Sequence, residues 1–184
     1  MNKLGSTVTA VIGAAVGTAL VATAGSAAAA ISAFQDIRGD MAHGADIHSV
    51  KVVNEKNVRV VLKVADLVPS YKSGAGVTVY LDTDPSDAGP EFAFLGGMFE
   101  GTDYALVRTE GWDVPDNPRV VRDFHIMKLD YENDVARFRM TRAALDDPGK
   151  VRVEVKTSGE QNDGDIVRDW LQDRREFTSW VKRG

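Results

Sequence analysis

From residue 46 onward, hydrophobic residues recur at every second position in most of the segments that carry any pattern. Val58, Val60, Leu62 and Val64 alternate with Arg59, Val61, Lys63 and Ala65, the period of a strand with one buried face. Val77, Val79 and Leu81 alternate with Thr78, Tyr80 and Asp82, and Val151, Val153 and Val155 with Arg152, Glu154 and Lys156. Weaker patterns predict strands over 47–53, 92–95, 104–108, 125–131 and 135–140. Turn-forming residues punctuate them at 54–57, 73–74, 84–90, 111–118, 132–134 and 146–149. Two neighbouring pairs read as hairpins, 47–53 with 58–65 and 125–131 with 135–140. The one internal helical segment is a single turn over 141–145, with Thr141 as its cap. Phe177, Trp180 and Val181 have the spacing of a short helix or of a strap over the core, which Trp170 and Trp180 are expected to cover. This pattern predicts an all-β fold, a single jelly-roll-like β-sandwich of about eight to ten strands over 31–184.

The first 30 residues break the alternation. Lys3 is the only charge before Asp36, and the apolar run from Val8 closes in Ala27-Ala28-Ala29-Ala30. A basic start, an apolar middle and a small-residue end predict a secretory signal peptide over 1–30, with the mature chain starting near Ile31. The competing reading is a membrane anchor. Against it, the run is mostly Ala, Gly and Thr and has no basic residues at its far end. Export makes the expected location secreted or extracellular, with no membrane attachment after cleavage.

Composition narrows the chemistry. The 184 residues carry a net charge of −5 and no cysteine. Thiol catalysis, disulfides and thiolate metal sites are excluded, and nucleic acid is a poor partner. The chain has no G-x-S-x-G elbow, no H-E-x-x-H helix, and no Ser or Thr beside an evident base. Its histidines, His43, His48 and His125, form no motif.

Two groups remain. Asp82, Asp84 and Asp87 crowd a loop directly after a strand, and hard cations such as Ca²⁺ select loop-mounted carboxylates. In extended backbone residues 82 and 84 point the same way, so Asp82 and Asp84, with Asp103 as third partner, form a candidate structural Ca²⁺ site. The alternatives are a turn whose acids bond their own backbone, or a nearby Arg or Lys as counter-charge. A second acidic group, Asp36, Asp40 and Asp46, flanks Gly39 and Gly44. Separately, Trp112, Asp113 and Asn117 share a polar loop. A flat ring beside a carboxylate and an amide suits a sugar, stacking its apolar face while the polar groups take hydroxyls. The alternative is that Trp112 folds inward and plugs one end of the sandwich.

The series Asp36, Arg38-Gly39-Asp40, Ala45-Asp46-Ile47, Val79-Tyr80-Leu81-Asp82-Thr83-Asp84 and Gly101-Thr102-Asp103-Tyr104 resembles the extracellular β-sandwich modules grouped as DOMON-like. That group includes family 9 carbohydrate-binding modules. The whole mature chain is also similar to small secreted proteins of actinobacterial type. The resemblance spans about residues 36–157 and implies a sandwich that binds sugar, haem or another ligand. Haem would ask for axial ligands such as Met98, Met127 or His125. The leading expectation is a secreted, non-enzymatic binding module for carbohydrate or a cell-envelope component. A secreted glycan-acting hydrolase and a protein-interaction or inhibitor module are the alternatives.

Overall fold

A computed structural model describes residues 30–41, 44–160 and 164–184. The expected signal peptide, apart from Ala30, and His43 lie outside the described residues. Twelve strands follow in chain order: β1 (Ile31–Gln35), β2 (Ile47–Asn54), β3 (Asn57–Val64), β4 (Gly76–Asp82), β5 (Phe92–Gly97), β6 (Tyr104–Arg108), β7 (Arg119–Val120), β8 (His125–Asp130), β9 (Val135–Thr141), β10 (Lys150–Glu160), β11 (Ile166–Trp170) and β12 (Val181–Lys182). They form two antiparallel sheets, ordered β1-β2-β3-β9-β8 and β11-β10-β4-β5-β6-β7, with β12 also on β10. The fold is a β-sandwich, and both expected hairpins, β2–β3 and β8–β9, are present.

The sequence pattern missed β1, β7, β11 and β12. Two of them are two residues long, and β1 buries neither of its faces fully. These strands exist because a neighbouring edge supplies hydrogen bonds, and apolar alternation does not report that. The turn after β9 is 3-10, over Ala143–Leu145. Its cap is Arg142 without a side-chain bond, so Thr141 does not cap it. Among the described residues, no helix is long and apolar enough to cross a membrane.

The core lies between the sheets and holds the alternating residues of both. Val58, Val60 and Leu62 of β3 meet Val79 and Leu81 of β4 and Val153 and Val155 of β10. The Phe94 and Phe138 rings cross from one sheet to the other, 5.1 Å apart and edge to face, a geometry aromatic pairs prefer. Met98 and Met127 are core residues, and His125 lies edge-on against Phe94.

β4 departs from its expected one-sided burial, because every residue from Val77 to Asp82 is buried. The reason is a second, smaller apolar cluster on the outer face of the larger sheet. Tyr80, Ala93 and Val107 lie under Trp112, Val114, Trp170 and Phe177. Two segments lie over that face, the loop after β6 and the ten residues joining β11 to β12.

The chain end is tied down by a buried polar cluster. Asn54, at the end of β2, donates to the Val181 carbonyl at 2.9 Å and accepts from Arg142 Nη1 at 2.6 Å. Arg142 Nη2 donates to the Pro148 carbonyl. Arg142→Met would leave two buried acceptors without donors, each worth about 1–3 kcal/mol. Chemical denaturation of this variant should show a loss of about 2–4 kcal/mol, and a change below half a kilocalorie would show the cluster to be dispensable.

Candidate ligand-binding site

The outer apolar cluster leaves a pocket open beside it, with a volume of 630 Å³. Strand geometry explains its floor. Tyr80 of β4, Lys156 of β10 and Trp170 of β11 all lie on the outer face, and Lys156 is directly opposite both Thr78 and Trp170 in register. The Tyr80 and Trp170 rings are parallel within 3°, with centroids 6.2 Å apart. Lys156 Nζ lies 5.7 and 5.6 Å from the two centroids and donates to the Tyr80 hydroxyl at 3.4 Å.

Trp112 forms the facing wall. It meets Tyr80 edge-on at 5.2 Å and packs against Phe177 at 4.6 Å. Its loop folds back onto the sheet because Thr109 is buried and donates to the Gly111 carbonyl at 2.6 Å. Trp112 is therefore half-buried on the outer face and does not plug an end of the sandwich. Asp113 also lines the pocket and pairs with Arg175 at 3.1 Å. Asn117 is exposed and lies outside the lining. Trp170 belongs to this pocket and not to the core, while Trp180 lies over Lys150 and Arg152.

The sequence reading missed Tyr80, Lys156, Arg168, Trp170, Arg174 and Arg175 as pocket residues. Tyr80 and Lys156 sit on what the alternation marks as solvent faces. A large aromatic on the polar side of a strand was the available signal for Tyr80, and the three arginines Arg168, Arg174 and Arg175, interleaved with Asp169 and Asp173, gave only a weak signal for the rim.

The aspartates proposed as a cation site are not brought together. Asp82 is wholly buried, and its Oδ2 accepts from Arg152 Nε at 2.7 Å and lies 2.6 Å from Nη2. Asp84 is exposed and turns to Ser86, accepting from its N–H at 2.9 Å and its hydroxyl at 2.6 Å. Asp103 precedes β6 at the Gly76–Gly97 end of the sheet, about 20 Å of strand away from Asp82. The acid that organises the loop after β4 is Glu91, whose Oε2 accepts from Thr83 N at 2.6 Å and Thr83 Oγ1 at 3.0 Å.

A different acidic group does converge. Oxygens of Asp36, Asp40 and Asp169 lie within 4.8 Å of one another. Asp36 accepts from Gln172 N at 2.8 Å and Asp169 from Ile47 N at 2.7 Å, so the group fastens β11 and the second residue after it to the ends of β1 and β2. Asp46, the third member of the sequence grouping, turns instead to the Gly39 and Met41 amides. Burial is the main cause that pushes Asp169 up to about 6.

Glu154 lies beneath the segment joining β11 to β12, fully buried. Neither carboxyl oxygen has a hydrogen-bond partner of proper geometry among the described residues. Burial pushes it up to about 9, with Asp36 and Glu176 adding repulsion and nearby amides of Val155 and Leu171 opposing. At neutral pH it is an uncharged acid, and with no exposed surface it cannot touch a substrate.

Compared with known proteins, the sequence matches no family model and no curated protein.

Two tests follow from these buried acids. Arg152→Met strands a buried carboxylate and should cost about 3 kcal/mol or more, while adding Asp82→Asn should recover the larger part. If the double variant is no more stable than the single one, Arg152 contributes through its rings Phe177 and Trp180 alone. Glu154 is raised on folding, so its contribution is fully present below its unfolded value and is lost as pH rises through the folded one. Between pH 6.5 and 9, above the range of Asp169, wild-type urea midpoints should fall more steeply than those of Glu154→Gln. Parallel curves would mean that Glu154 does not carry the proton.

Proposed function

We propose that this protein is an exported, non-enzymatic β-sandwich binding module, and that the outer-face pocket is its site for carbohydrate or a related cell-envelope component. The observation that carries this reading is the three-ring lining of Tyr80, Trp112 and Trp170 around an open pocket. Flat apolar rings present the surface that a sugar ring stacks on, and Asp113, the Tyr80 hydroxyl and Lys156 supply hydrogen-bonding groups at its margin. The resemblance to DOMON-like modules points in the same direction. A catalytic reading has less support. The acids pushed furthest up, Glu154 and Asp169, are buried and neither lines the pocket, whereas a general acid must reach the bond it protonates.

A glycan array probed with the chain lacking residues 1–30, followed by calorimetry on the best ligand, tests the proposal. Trp170→Ala should weaken binding about tenfold, as loss of one aromatic stacking partner worth ~1–1.5 kcal/mol implies. Its far-ultraviolet spectrum should stay unchanged. Retention of no glycan, or full affinity in Trp170→Ala, would remove the pocket from the account.

A further inference from the structure

The charge around the pocket is the reverse of the charge on the protein. The chain carries −5 overall, yet four cations line this pocket, Lys156, Arg168, Arg174 and Arg175, against the single carboxylate of Asp113. Among the described residues only Arg175 of the four forms an ion pair, with Asp113. Glu154, two positions from Lys156 on the same face of β10, is uncharged at neutral pH and so does not offset them. The Arg174 guanidinium lies 5.9 Å from the centre of the Trp170 ring, so a second cation flanks the aromatic floor.

Lys156 lies within this surplus. Its ammonium sits to one side of the two rings, 5.7 and 5.6 Å from their centroids, and the residue is half-buried, with no described carboxylate in ion-pair range. Burial lowers its pKa first, Arg168 lowers it further, Asp113 opposes, and Arg174 and Arg175 add to the lowering. Like charges gathered in a partly desolvated pocket repel one another by an amount that a bound anion would relieve. Guanidinium groups match the planar, bidentate geometry of a carboxylate.

We infer that the ligand of this pocket is an anionic saccharide, a sugar whose ring stacks on Trp170 or Trp112 while its carboxylate meets Lys156, Arg168 and Arg174. This rests on the reading of the pocket as a saccharide site, and it adds the class of sugar: uronic-acid units in place of neutral hexoses. Arg175 stays with Asp113 and holds the Trp112 loop against the opposite rim.

The test compares oligogalacturonate with the same oligosaccharide methyl-esterified at every carboxyl, which keeps the rings and removes the charge. Calorimetry should show binding of the free acid and at least tenfold weaker binding of the ester. Raising sodium chloride from 50 to 500 mM should weaken the acid as well, since exposed charges are screened over shorter distances at high salt. Lys156→Met and the pair Arg168→Gln with Arg174→Gln should each lose about tenfold or more toward the acid. The two arginines are exposed, so the double variant should keep the wild-type melting temperature. Equal binding of acid and ester would overturn the inference and leave the saccharide reading in place. Binding of benzoate or sulfate that is lost in the variants, with no saccharide bound at all, would overturn the saccharide reading and keep the anion pocket. Undiminished acid binding in both variants would place the anion elsewhere and overturn the inference, and binding of none of these probes would end both readings.

Discussion

β10 has more edge to cover than any one partner provides, and the outer face of the protein is arranged around that fact. One edge pairs with β4 from Arg152 to Ser158. The other edge is divided between two short strands, β11 against Lys156–Glu160 and β12 against Lys150–Val151. Buried backbone groups must find partners, so the gap between the two strands is bridged residue by residue. Leu171 N donates to the Val155 carbonyl, Thr178 N to the Val153 carbonyl, and the Thr178 hydroxyl accepts from Val153 N. With both ends pinned, the intervening chain has nowhere to go but outward, over the sheet. It thereby delivers Arg174 to Trp170, Arg175 to Asp113 and Phe177 to Trp112.

This closure gives three successive outward residues of one strand three different electrostatic fates. Arg152 lies beneath Phe177 and Trp180 and neutralises a buried aspartate. Glu154, fully covered, keeps its proton instead of a partner. Lys156 stands where the cover ends and opens into the pocket. Desolvation disfavours charge in all three places, and what differs is whether a partner, a proton or access to solvent answers it.

Alternation was enough to locate the eight strands that make the core, because each has one apolar face and the sandwich buries it. It could not locate β11 or β12, whose residues alternate weakly and which exist through β10. The same limit applies to the site. Trp112 and Asp113 stood out because they sit together in a polar loop, and both do line the pocket. Tyr80, Lys156 and Trp170 come from three strands, and their adjacency is a product of register that one-dimensional spacing does not hold. The aspartates after β4 show the converse. Asp82 and Asp84 are two apart in sequence, but the strand ends at Asp82, and from there one side chain stays in the sheet while the other turns to Ser86.

The pairing of Tyr80 and Trp170 beside an ammonium has an optical consequence. Of the three tryptophans, Trp112 and Trp170 border the pocket, while Trp180 lies outside it against Lys150 and Arg152. Indole emission responds to the local electric field, and Trp170 sits 5.6 Å from a cation whose charge any bound anion would screen. Two of the three indoles therefore border the pocket, so an anion bound there is expected to shift the chain's tryptophan emission.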